Sequence, residues 1–87
     1  MPRVLFTHLV SDVEHWVSKH SERVEAFAAW GSNVVDYVAA DGSPDVCVGV
    51  EVHDMAAMRD ALESPAMAAA KQAHGVLEPV AVHVEHD

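Results

Sequence analysis

Sulfur chemistry is nearly absent from this chain: Cys47 is the only cysteine among 87 residues, so no internal disulfide can form. Such usage fits a reducing compartment, and the cytoplasm is the expected location. Positive charge is scarce as well. Arg3, Lys19, Arg23, Arg59 and Lys71 are scattered among fourteen acidic residues, for a formal charge of −9. Dispersed cations on an acidic chain argue against nucleic acid or an anionic membrane as partner. No apolar run approaches the ~20 residues of a membrane-spanning helix. The opening MPRVLFTHLV lacks a secretion-signal layout, because polar and acidic residues arrive by Ser11 without a small-residue cleavage site. One domain over residues 1–87 is expected, near the size at which a single core is only just sufficient.

What the chain has in quantity is alternating valine. From Val46 to His53 valine takes every even position, while Cys47, Gly49, Glu51 and His53 take the odd ones. A period of two marks a β-strand with one apolar face and one small, acidic and imidazole-bearing face. The closing stretch repeats it, with Val80, Val82 and Val84 on one side and Ala81, His83 and Glu85 on the other. Seven histidines are many for this length. Their full protonation would reduce the charge to −2, so solubility is expected to fall towards the pI near 5.0.

The remaining elements follow from their punctuation. Arg3 to Val10 reads as the first strand, and Ser11-Asp-Val-Glu14 has the spacing of a capping box that opens a helix. Val13, Trp16, Val17, Val24 and Phe27, with His20, form its apolar stripe; Ser18 and Ser21 favour a break near Lys19 to Ser21, and Gly31 suits a C-cap. Asn33 to Ala40 reads as a second strand, joined to the third by the turn Asp41-Gly-Ser-Pro-Asp45. Asp54 can cap a second helix with Met55, Met58, Ala61 and Leu62 inward, restarted at Ser64-Pro65 and ended by Gly75; Pro79 leads into the last strand. The order β-α-β-β-α-β predicts an α+β, ferredoxin-like fold. Both helices should cover one face of a four-stranded antiparallel sheet whose central strands are the first and third.

The element order, the broken first helix, the hairpin turn and the tail Glu63-Ser-Pro-Ala-Met-Ala-Ala-Ala-Lys-Gln-Ala-His-Gly-Val76 before a terminal strand resemble the small dimeric α/β-barrel proteins of the antibiotic-biosynthesis-monooxygenase type. The resemblance covers nearly the whole chain. It implies a homodimer in which two free sheet faces close an eight-stranded barrel, and a small hydrophobic or aromatic molecule as ligand. For chemistry it implies either cofactor-free monooxygenation or acid–base catalysis of cyclase or isomerase type. No complete asparagine, tryptophan and histidine constellation of the haem-degrading branch maps onto these positions, and no cofactor or metal is expected.

Candidate residues follow from the alternation. His53, Glu51 and His83 should face away from the helices, where imidazole beside carboxylate can move protons. His8 could join His83 on that face in one register, or be a core histidine in the other. Trp16, His20, Tyr37 and Trp30 are candidates for a substrate wall, although aromatics in small proteins more often serve the core. Cys47 should be an inert thiol. A non-catalytic module that binds a ligand or metal with the same fold is the alternative reading.

Overall fold

The computed structural model describes residues 2–86. Its elements run β1 (Arg3–Val10), α1 (Val13–Ser18), α2 (His20–Phe27), β2 (Gly31–Val38), β3 (Asp45–Val52), α3 (Met55–Leu62), α4 (Pro65–His74) and β4 (Val76–Val84). The four strands form one antiparallel sheet in the order β2-β3-β1-β4, so the first and third strands are central as predicted. The fold is ferredoxin-like.

Parity decides what is buried. The even positions Val4, Phe6 and Val10 of β1 and Val46, Val48, Val50 and Val52 of β3 meet Trp16, Phe27, Trp30 and Met58 in one core. Burying each aliphatic side chain contributes on the order of 1.5–3 kcal/mol. Phe6, Phe27 and Trp30 pack as a tilted and edge-on cluster with ring centroids 4.7 to 6.5 Å apart, the geometry that ring quadrupoles favour. The odd positions Leu5, Leu9, Cys47, Gly49 and Glu51 fall on the other face, which no helix among the described residues covers.

Several boundaries differ from the sequence expectation. The first helix is capped by Asp12, whose Oδ1 accepts from the His15 amide at 3.2 Å, and not by Ser11. Ser11 is held instead by its amide, which donates to the Gly75 carbonyl at 2.9 Å. The break at Lys19 is present, and it rephases the helix. Trp16, Arg23 and Phe27 become the buried positions, while Val17 and Val24 are exposed. Gly31 is not a C-cap but the first residue of β2. A β-carbon there would lie 2.7 Å from Val50 Cγ2 and 3.0 Å from the Glu51 carbonyl oxygen, so only glycine lets β2 approach β3 so closely. The later signals hold: Asp54 and Ser64 cap α3 and α4, Pro65 opens α4, and Gly75 ends it at φ 74.

β4 begins at Val76, before Pro79, and bows opposite one residue. Thr7 pairs with Ala81 and Leu9 with Leu77, so Glu78, Pro79 and Val80 together stand opposite His8. Proline has no amide hydrogen to continue the ladder, which makes a bulge the natural place for it.

Candidate functional site

The bulge, the broken helix and the composition of α4 combine to leave a cavity of about 570 Å³ between the sheet and the helices. Ala66, Ala69, Ala70 and Ala73 form its wall on α4, where larger side chains would have closed the core. Phe6, Phe27, Val48, Leu62, Met67 and Val80 complete an apolar lining. Charged and imidazole side chains line it as well: His8, Arg23 and His74, together with Glu22, Glu25 and Lys71, the last of which pairs with Glu78.

His8 lies on β1 with its side chain towards the helices. It is 8% exposed, and neither ring nitrogen has a hydrogen-bond partner among the described residues. Its ring stands edge-on to Trp16 with centroids 5.9 Å apart. Burial lowers its pKa below the ordinary imidazole value, and the Arg23 cation lowers it further, so the ring is neutral at pH 7. A neutral, desolvated imidazole with free nitrogens can accept a proton.

Arg23, 4% exposed, is held on several sides. Its Nε and Nη2 donate to the two carboxylate oxygens of Asp36 on β2, the side-on bidentate arrangement that suits a guanidinium. Nη2 also donates to the Trp16 carbonyl at 2.7 Å, and the guanidinium carbon lies 4.1 Å from the Trp16 ring centroid. Nη1 lies 3.4 Å from His74 Nδ1. Arginine has hydrogens only to give, so that nitrogen of His74 accepts and its ring is neutral. Burial and Arg23 both push the His74 pKa down, in agreement with this geometry.

The predicted residues therefore separate by face. His8, Trp16, His20 and Trp30 lie on the helix side. His20 Nδ1 sits 3.0 Å from Asp36 Oδ2, within ion-pair distance. Trp16 lines the cavity, whereas Trp30 is sealed in the core beside Phe6 and Phe27. Tyr37, opposite Cys47, is on the outer face, so it forms no aromatic wall with either tryptophan. The register of β1 is settled too: Leu5, not His8, is the neighbour of His83.

On the outer face, Arg3, Leu5, Tyr37, Cys47 and His83 border an open groove of about 510 Å³. Glu51 accepts from Asn33 Nδ2 at 3.3 Å and lies 3.8 Å from Arg3 Nη1, while His53 Nε2 is 2.9 Å from Ser32 Oγ. Burial and the Asp45 carboxylate raise the Cys47 pKa, which leaves it a thiol. No three histidine, cysteine, aspartate or glutamate side chains among the described residues are placed to hold a metal ion. No helix among the described residues is long and apolar enough to cross a membrane.

Sequence reasoning singled out neither Arg23 nor His74 as a site residue. The signal for Arg23 was its place seven residues after Trp16 and four before Phe27, a lone cation on an apolar stripe.

No family model matches this chain, and no curated protein matches it. Solved structures do. A Bordetella bronchiseptica protein bearing the name antibiotic biosynthesis monooxygenase superposes with a TM-score of 0.70 at 15% identity, over 99% of this chain and 95% of that one. A Deinococcus radiodurans protein so named gives 0.65 at 13%, over 100% and 92%. One from Nitrosomonas europaea gives 0.65 at 10%, over 100% and 98%. The chain thus has the ferredoxin-like fold of the antibiotic-biosynthesis-monooxygenase type. At such identities the likeness concerns the fold.

Proposed function

We propose that the protein is a homodimeric enzyme that removes a proton from a hydrophobic, ring-bearing small molecule held between its sheet and helices. The observation that carries this reading is His8: a buried, neutral imidazole with both nitrogens unpartnered, aimed into a roomy apolar cavity. Leaving such a group unsatisfied costs about 1–3 kcal/mol, a cost expected where the partner is a ligand. The acidic O–H or C–H bond of the substrate breaks, the proton goes to an imidazole nitrogen, and the electron pair stays on the substrate as a phenolate, enolate or carbanion. No prosthetic group is required for that step.

The name monooxygenase borne by neighbours of the fold suggests dioxygen as co-reactant for the anion. A substrate CH₂ would become C=O, and the second oxygen atom would leave as water. The dimer is inferred from the outer sheet face, where Leu5, Leu9, Val35, Tyr37 and Leu77 are all exposed on a chain of 87 residues. His53, Glu51 and His83 then belong to that interface or its wet rim.

Quenching of Trp16 fluorescence by hydroxylated naphthalenes and anthracenes identifies binders, and turnover of the binders then tests His8. His8→Ala is expected to keep the fold and lose a factor of roughly 10²–10⁴ in rate, the usual contribution of a positioned base. Turnover by His8→Ala at the native rate would remove His8 as the base, and saturable binding without any turnover would favour a binding module.

A further inference from the structure

Proton removal in an apolar cavity creates an anion that water cannot solvate, so something in the cavity must hold it. We infer that the Nη1 corner of Arg23 is that group, an anion-holding site that contacts the ionised oxygen of the ligand. The inference rests on the reading of His8 as proton acceptor and names the group that stabilises what His8 produces.

The argument is a count of hydrogens. A guanidinium has five N–H bonds. Among the described residues, Nε–H goes to Asp36 Oδ1, the two hydrogens of Nη2 go to Asp36 Oδ2 and the Trp16 carbonyl, and one hydrogen of Nη1 goes to His74 Nδ1. One hydrogen of Nη1 has no acceptor. It belongs to a side chain that lines the cavity and is 4% exposed, so bulk water is not its partner. Asp36 occupies the Nε–Nη2 edge and leaves the Nη1 corner as the free positive end.

The charges balance. Arg23 and Asp36 sum to zero, and proton transfer makes a ligand anion and a His8 imidazolium that also sum to zero, so no net charge is buried. The bidentate carboxylate, the carbonyl and the stack on Trp16 fix the guanidinium before the ligand arrives, and a preorganised donor needs no reorganisation when charge develops. Arg23 makes His8 a weaker base through space, but a hydrogen bond from its free N–H would stabilise the anion directly. The free donor therefore favours transfer overall.

A two-ring phenol whose absorption moves to longer wavelength on ionisation, 4-nitro-1-naphthol, is a suitable probe. An apolar cavity alone raises the pKa of a bound phenol, whereas an adjacent cation lowers it, so the sign of the shift is diagnostic. The bound probe is expected to ionise at least tenfold more readily than in water, in the native protein and also in His8→Ala, where the proton leaves to solvent. The paired variant Arg23→Gln with Asp36→Asn, which leaves no orphaned carboxylate, should lose that shift while still binding the neutral phenol. Binding with an unshifted or raised pKa in the native protein or in His8→Ala would overturn the role of Arg23 and leave the cavity reading standing. So would persistence of the shift in the paired variant. Absence of saturable binding would overturn both. If the paired variant does not fold, the native protein and His8→Ala decide the matter alone.

Discussion

In the proposed enzyme His8 is at once a liability for stability and the base of the reaction. A buried imidazole without partners weakens the fold, so His8→Leu, similar in bulk and apolar, is expected to raise the unfolding free energy by about 1–2 kcal/mol. The same change should abolish turnover, the trade between stability and activity common at sites. Urea midpoints of the two proteins, read beside their rates, check both halves. His8 and His74 also set a pH dependence. Both have folded-state pKa values below the ordinary 6.5, because burial and Arg23 disfavour their charged forms. Below 6.5 the unfolded chain therefore binds more protons than the folded one, and stability falls with pH. The stability these groups confer is complete above pH 6.5 and is lost as pH falls through their folded values. Urea midpoints at pH 7.5 and 5.5 should differ in that direction, and by less in His8→Leu.

Among the elements, α4 decides whether a cavity exists. Its alanines face the space beside His8, and the larger residues that would fill it are missing. Ala70→Leu should fill part of that space, leave stability unchanged or improved, and abolish binding of ring-bearing ligands; calorimetry against a hydroxynaphthalene reads the loss. At the other edge, Gly31→Ala drives a β-carbon against Val50 and the backbone of Glu51, with an expected destabilisation of about 1–3 kcal/mol in thermal or urea unfolding. The elements themselves were legible in the sequence because each end carries its own chemistry: Asp54, Ser64-Pro65 and Gly75 stand where the helices start and stop. Gly31 was misread because a glycine after a helix suggests a cap, whereas its true constraint comes from a strand remote in sequence. The buried face of α2 was misread for a related reason. A break at Lys19 can be suspected from local residues, but the rotation it introduces is set by docking on the sheet, which turned Arg23 inward and Val24 out.

At the scale of the whole molecule, the sheet has one face sealed by helices and one left open, and the proposed dimer would form through the open face. Light scattering is expected to give twice the 9.4 kDa chain mass, and Leu9→Glu, which places a charge where leucine is 50% exposed, should shift it towards a single chain. A native protein of single-chain mass at micromolar concentration would exclude the dimer. Element order, strand pairing and the core-facing side of β3 could be read from the residues alone, because period, caps and turn residues act between near neighbours and a one-residue slip would reverse every side chain. The place of the candidate site, by contrast, came from three-dimensional packing. It placed His8 behind the sheet, away from His83, bowed β4 around it, and brought Arg23, Asp36 and His74 together from two helices and a strand. Those contacts join residues 13 to 51 positions apart, and no local pattern encodes them. They arise from how a rephased helix and a bulged strand fit against each other in one core.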